Sequence, residues 1–198
     1  MSNTPTLQTE RLILRKFTVQ DVSALYAILS NFEVNRFLPM IPPSSLEEAE
    51  SYLKEMYLDT YTNPKGYRYA ICFQSDNIPI GYVHVGTTEA KDFGYALLPQ
   101  HWNQGIVTEA SIAVIRQLFK DRVKFITATH DINNPASGSV MKKLGLVYKY
   151  SYVEQWMPKN ITVTFRMYQL NLDGDVLRTY QEYWEKYPNH FIEESDSI

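Results

Sequence analysis

The chain has 198 residues, 44% hydrophobic and 21% charged, enough to close a large domain around its own core without covalent staples. A net charge of -3 argues against the clustered Lys/Arg of a nucleic-acid binder, and the lone cysteine, Cys72 in an apolar run, excludes an internal disulfide and a cysteine-based metal site. Met1 to Thr6 has neither a basic nor an apolar leader pattern and no run reaches about 18 apolar residues, so a cytoplasmic protein without a membrane partner is expected.

Arg11 to Phe17 alternates as a first strand, and Thr18-Val19-Gln20-Asp21 has capping-box spacing for a helix with Leu25, Tyr26, Ile28 and Leu29 at helical intervals. After the Pro-rich passage from Pro39 to Pro43, Ser45-Leu46-Glu47-Glu48 opens a second helix reaching about Asp59. Tyr67 to Gln74, Ile78 to Gly86 and Asp92 to Leu98 predict an antiparallel meander. A helix follows from about Thr108 to Lys120, with Ala110, Ile112, Val114, Ile115, Leu118 and Phe119 on its apolar side. Val123 to Thr129 is a strand, and Pro135 starts a helix that Gly145 closes. Val147 to Gln155 and Ile161 to Leu170 are long strands joined by Pro158-Lys159-Asn160.

Residues 1–171 thus predict an α/β domain, a mixed, mostly antiparallel sheet of about seven strands with helices on both faces. Residues 172–198 predict a C-terminal helical extension, with Leu177, Tyr180, Tyr183, Trp184 and Tyr187 as its stripe and a frayed acidic end from Glu193 to Ser197. That stripe exposes an apolar patch unless it packs on its own domain or on a partner, which makes a homodimer an expectation.

The segment from Trp102 to Ala110 reads as a polar loop between a strand and a helix start, with Gly105 free of a side chain and Thr108-Glu109 at the helix beginning. Unpartnered amides and the helix dipole suit such a loop to a phosphate or pyrophosphate.

Three segments in this order, Thr9-Glu10-Arg11-Leu12-Ile13-Leu14-Arg15, Phe93 to Leu98 with Trp102 to Ala110, and Asn134-Pro135-Ala136-Ser137 through Gly145, resemble the GNAT acetyltransferase superfamily. The match spans roughly Leu7 to Leu170 and is similar to the ribosomal-protein N-terminal-acetyltransferase-like, RimJ/RimL-type branch. The resemblance implies a GNAT fold with acetyl-CoA as co-substrate, an amine as acceptor and direct transfer of the acetyl group, making an N-acetyltransferase.

It also implies which residues serve. Amides of Gln104, Gly105, Ile106, Val107 and Thr108 would hold the pyrophosphate, and backbone groups of Ala96, Leu97 and Leu98 the pantetheine and thioester. Asn134 would hydrogen-bond pantetheine, and the Ser137 hydroxyl would lie near the sulfur as acid. The base is open between His84, whose side chain alternates onto one face of a strand, Glu154, in a region where the branch places an acceptor-site carboxylate, and water. Asp92 is a further carboxylate before the cofactor strand.

Asn103 and Val107 depart from the family loop, where a second glycine and Gly or Ala are usual, and define an alternative expectation, an acyl-CoA-binding module with little or no turnover. His101 and His130-Asp131 lack metal-ligand spacing, so no metal is expected.

Overall fold

Nine strands fall into two sheets, one of five and one of four, in the computed structural model, which describes residues 3–194. The five-stranded sheet runs in order β1 (Leu7–Gln8), β2 (Leu12–Arg15), β3 (Tyr67–Phe73), β4 (Pro79–Val85) and β5 (Phe93–Leu97). The four-stranded sheet has the order β6 (Phe125–Asp131), β8 (Ile161–Asn171), β7 (Val147–Trp156) and β9 (His190–Phe191). The expected α/β fold with a mostly antiparallel sheet is therefore present, with its strands divided between two sheets. The two-residue strands β1 and β9 are too short to leave a period in the sequence. Contacts group the chain into two units, Met1–Val85 with Gly94–Gln117, and Gly86–Phe93 with Leu118–Ile198.

In the first unit, β2, β3 and β4 pair antiparallel, Leu14 facing Ile71 and Tyr69 facing Val83. The expected capping box forms. Asp21 accepts from the Thr18 amide at 2.7 Å and pairs with Arg15 at 2.7 Å, opening a 3-10 turn that runs into α1 (Val22–Leu29). A four-residue helix α2 (Phe32–Asn35) follows, capped by the Asn31 side chain. Helix α3 (Leu46–Leu53), capped by Ser45, ends earlier than expected and continues as a π-type turn, Lys54–Leu58, and a 3-10 turn, Asp59–Thr62. Leu25, Ile28, Leu29, Leu53 and Tyr57 pack with Phe17, Ala70, Cys72 and Tyr82 as the core. Burial lifts the Cys72 thiol to about 12, so it stays a neutral core group.

Helix α4 (Ile106–Lys120) buries Ile106, Ala110, Val114 and Leu118, a stripe of strict four-residue spacing, whereas Ile112 and Phe119 are exposed. Helix α5 (Pro135–Lys143) has Pro135 in its first turn and Gly145 at φ +85° beyond its end, as the sequence signals require.

In the second unit, β7 and β8 pair over their length, Tyr152 opposite Phe165 and Glu154 opposite Val163. Tyr150, Tyr152, Val163, Phe165 and Met167 form a core onto which Trp156, Tyr180, Tyr183, Trp184 and Tyr187 pack. The C-terminal segment is therefore covered by its own sheet, which removes the exposed stripe that motivated a dimer.

That segment is less helical than its pattern implies. Helix α6 spans five residues, Glu182–Lys186, and Leu177 lies outside the stripe at 89% exposure. The acidic end is docked, not frayed, at Glu193, which pairs with Arg166 at 2.5 Å and accepts from Ser151 at 2.5 Å. Residues 195–198 of that expectation lie outside the described ones. Among the described residues no helix is long and apolar enough to cross a membrane.

Candidate active site

The first unit carries the loop. Its α4 ladder begins with the Glu109 amide donating to the Gly105 carbonyl at 2.9 Å, which makes Gly105, not Thr108, the cap. The amides of Ile106, Val107 and Thr108 thus precede the first intrahelical bond and have no acceptor within the helix. Gly105 has φ +73° and Asn103 φ 60°, so the loop turns twice through the left-handed region. Asn is among the few side chains that tolerate that conformation, which explains why Asn103 can stand where glycine was expected.

A polar network that the sequence did not announce fixes this loop. Arg11 donates from Nη2 to the Gln104 carbonyl at 3.1 Å and from Nε to Glu109 at 2.7 Å, while Thr9 Oγ1 donates to Glu109 at 2.5 Å. Burial alone would raise the Glu109 carboxyl. The bonds from Thr9 and Arg11 outweigh burial and hold it below its ordinary value. The partners lie about a hundred residues apart, and no local spacing could reveal them. Trp102 Nε1 donates to the Leu97 carbonyl at 2.7 Å, tying the loop to the end of β5.

Leu98 donates its amide to the Ile80 carbonyl of β4 at 2.9 Å, so that amide is not available to a cofactor as expected. Alternation along a strand then turns the polar groups of Ala96 toward β4 and those of Leu97 away from it. Of the three residues, Leu97 keeps an amide directed off the β4 ladder.

His84, on β4, is half-buried, with its ring stacked on Tyr82 at 5.5 Å. A β-carbon at Gly94 would come within 2.6 Å of its Nε2, so the ring occupies the space over that glycine. Burial, and then the charge of Arg68, pull the His84 imidazole down to about 4. At neutral pH it is uncharged and a weak proton acceptor.

The second unit carries the other residues. Asn134 caps α5, its Oδ1 accepting from the Ser137 amide at 3.3 Å, which leaves its side-chain nitrogen as the donor toward a ligand. Ser137 is the third residue of α5 and half-buried. Glu154 stands on β7, half-buried, and adds to burial in raising the Tyr187 phenol. Gln104 to Thr108, Leu97 and His84 therefore belong to the first unit, and Asn134, Ser137 and Glu154 to the second.

Asp92, just before β5, forms one parallel bridge with Thr127 within the second unit, and Thr127 Oγ1 donates to the Ala90 carbonyl at 2.9 Å. Its Oδ1 is buried without a hydrogen-bond partner among the described residues, and burial lifts the carboxyl to about 6. Among the described residues no group of three or more His, Cys, Asp and Glu is placed to hold a metal ion.

The chain thus combines an α/β fold of two antiparallel sheets with a loop whose first helical amides have no acceptor within the helix. The acetyltransferase (GNAT) domain model matches residues 11–147, and the chain belongs to that family. It is 30% identical over 166 residues to the uncharacterized N-acetyltransferase YoaA of Bacillus subtilis strain 168, covering 80% of this chain and 91% of the relative.

Solved structures share the fold. RimL, a ribosomal L7/L12 alpha-N-protein acetyltransferase bound to coenzyme A, superposes with TM-score 0.75 at 19% identity, over 86% of this chain and 100% of that one. The ribosomal-protein-S5-alanine acetyltransferase of Vibrio fischeri does so with TM-score 0.68 at 17% identity, over 86% and 98%. The microcin C7 self-immunity acetyltransferase MccE, in complex with acetyl-CoA and AMP, gives TM-score 0.71 at 16% identity, over 82% and 93%. The protein is an acetyltransferase.

Proposed function

We propose that this acetyltransferase uses acetyl-CoA to acetylate a primary amine, a protein N-terminus or a small amine, by direct transfer. The observation that carries this reading is the loop before α4. Three amides at a helix start, with Arg11 and Glu109 fixing the turn that presents them, suit the pyrophosphate of CoA. Gln104 and Gly105 contribute the preceding backbone, and the Leu97 amide, flanked by Ala96 and Leu98, serves pantetheine. The Asn134 side-chain nitrogen serves the same arm.

In the reaction the ammonium first gives up a proton, because only the neutral amine has a lone pair. Its nitrogen attacks the thioester carbonyl carbon, the carbon–sulfur bond breaks, the departing thiolate takes a proton from the Ser137 hydroxyl, and the proton shed by the new amide nitrogen restores that hydroxyl. His84 and Glu154 are the side-chain candidates for the first proton, with water as the third. The low His84 value suits it to a relay through water more than to direct abstraction from an ammonium.

Incubation with acetyl-CoA and a panel of alkylamines and free-N-terminus peptides is expected to release one thiol per acetylated amine. Absence of acetyl-CoA binding in calorimetry overturns the reading.

A further inference from the structure

Two residues that cost stability where they stand meet at one contact beside Ser137. His130, on β6, is 4% exposed, and its Nδ1 lies 2.8 Å from the Asp131 carbonyl oxygen. A carbonyl only accepts, so the ring hydrogen sits on Nδ1 and Nε2 carries a lone pair. Burial, only partly offset by that bond, pulls the imidazole below its ordinary value, and the ring is neutral at pH 7. Nε2 is buried without a hydrogen-bond partner among the described residues, a loss that an apolar ring of the same size would not incur.

The ring edge faces Gly138, the buried fourth residue of α5. Glycine inside a helix is less favourable than alanine, because its backbone gives up more freedom on folding. Here alanine has no room: a β-carbon at Gly138 would stand 2.6 Å from Nε2, 2.8 Å from Cε1 and 3.2 Å from Cδ2 of His130. The ring edge thus occupies the place of the missing side chain. Residues that break local rules are expected at functional sites, and this contact adjoins Ser137, in the helix that Asn134 caps.

We propose that His130 is a positioning residue: its ring edge is the stop against which the first turns of α5 seat, and that seat sets where the Ser137 hydroxyl meets the departing thiolate. The inference rests on the N-acetyltransferase reading, with Ser137 as acid, and deepens it. The stop is itself held from the sheet, by the bond to the Asp131 carbonyl and by the Tyr168 ring, whose centroid is 5.5 Å away. A methyl group at position 138 therefore moves the helix and not the ring. Reaching ordinary contact from 2.6 Å takes about 1 Å of movement, a misplacement on the scale of an about 100-fold loss of rate.

The test measures thiol release from acetyl-CoA with the panel amine that turns over fastest, and uses acetyl-CoA calorimetry to show that each variant folds. Gly138→Ala is expected to lower kcat about 100-fold, while acetyl-CoA affinity, carried by the loop before α4, stays within about threefold. His130→Asn keeps an atom that can donate to the Asp131 carbonyl but lacks Nε2 and Cε1, and with the stop gone kcat should fall about tenfold. Combining the two puts a methyl group in the space the ring vacates, and kcat should return to within about threefold of the parent. In a Ser137→Ala background, Gly138→Ala should cost less than about threefold more, because the hydroxyl it displaces is absent. Full additivity in that background, an unchanged kcat in His130→Asn, or a pair no faster than Gly138→Ala overturns the positioning role. If Gly138→Ala alone fails to bind acetyl-CoA, His130→Asn and the pair decide. Failure of the parent to bind acetyl-CoA overturns the acetyltransferase reading instead.

Discussion

The loop before α4 and the tyrosine face of β7 and β8 are built by opposite means. The loop presents backbone amides, and its side chains matter through what holds the turn: Arg11 on Gln104 and Glu109, and Trp102 on Leu97. The tyrosine face presents side chains, and its backbone is spent on the ladder between the two strands. A backbone site tolerates sequence drift and is marked by a pattern, so Asn103 and Val107 can depart from the family loop while the amides persist. A side-chain cluster depends on rings brought from residues about 35 apart, such as Tyr152 and Tyr187, and the stripe in the sequence does not say which strands it covers.

The comparison can be broken or sharpened by substitution. The largest effect is expected for Ser137→Ala, with kcat down about 100-fold in a thiol-release assay, the scale of a lost general acid. The α5 cap survives, because it uses the Ser137 amide and not its hydroxyl. An unchanged rate would assign that proton to water.

Next is Val107→Pro. Proline in the first helical turn costs no helix bond, so the fold stands while one amide is lost. A hydrogen bond to a charged group contributes about 1.5–3 kcal/mol, so calorimetry should show acetyl-CoA affinity falling about 10- to 100-fold. A change within twofold would break the backbone half of the comparison.

Glu193→Gln tests the other half through its anchor. Bonds from Arg166 hold the Glu193 carboxyl below its ordinary value against burial, so this anchor contributes stability above the unfolded carboxylate range and loses it as pH falls through the folded value. At pH 7 the variant should lose about 1–2 kcal/mol in urea unfolding, and the difference from the parent should shrink toward about pH 3. A pH-independent difference would show that the carboxylate charge is not what anchors the segment.

The smallest effect is expected for Arg11→Ala. The KM for acetyl-CoA should rise about 3- to 10-fold, the loss of one partly exposed ion pair and its bond to Gln104, with the acceptor KM unchanged. Equal rises in both would show a general loosening instead of loss of loop positioning.

What was legible in the residues follows the range of the forces involved. Capping by Thr18-Asp21 and Ser45, the start of α5 at Pro135, the glycine after it and the long strands are local, and they stand within a few residues of where the pattern put them. The early end of α3 was not legible, because its apolar spacing continues through Tyr57 while the backbone widens into a π-type turn. Nor was the short α6: five aromatic or apolar positions at helical spacing also describe a bent segment draped on a sheet. At the site, the loop was legible as a helix start. The Arg11–Glu109 tie, the committed Leu98 amide and the orphaned Asp92 oxygen depend on contacts made only after folding.

Trp102 gives the loop a further property. Its indole nitrogen is bonded to the Leu97 carbonyl, its ring is 42% exposed, and it stands two residues before Gln104. The other two tryptophans, Trp156 and Trp184, sit in the aromatic layer on β7 and β8. The chain therefore carries optical reporters on both surfaces, and Trp→Phe variants separate the signal of the loop from that of the aromatic layer without an added label.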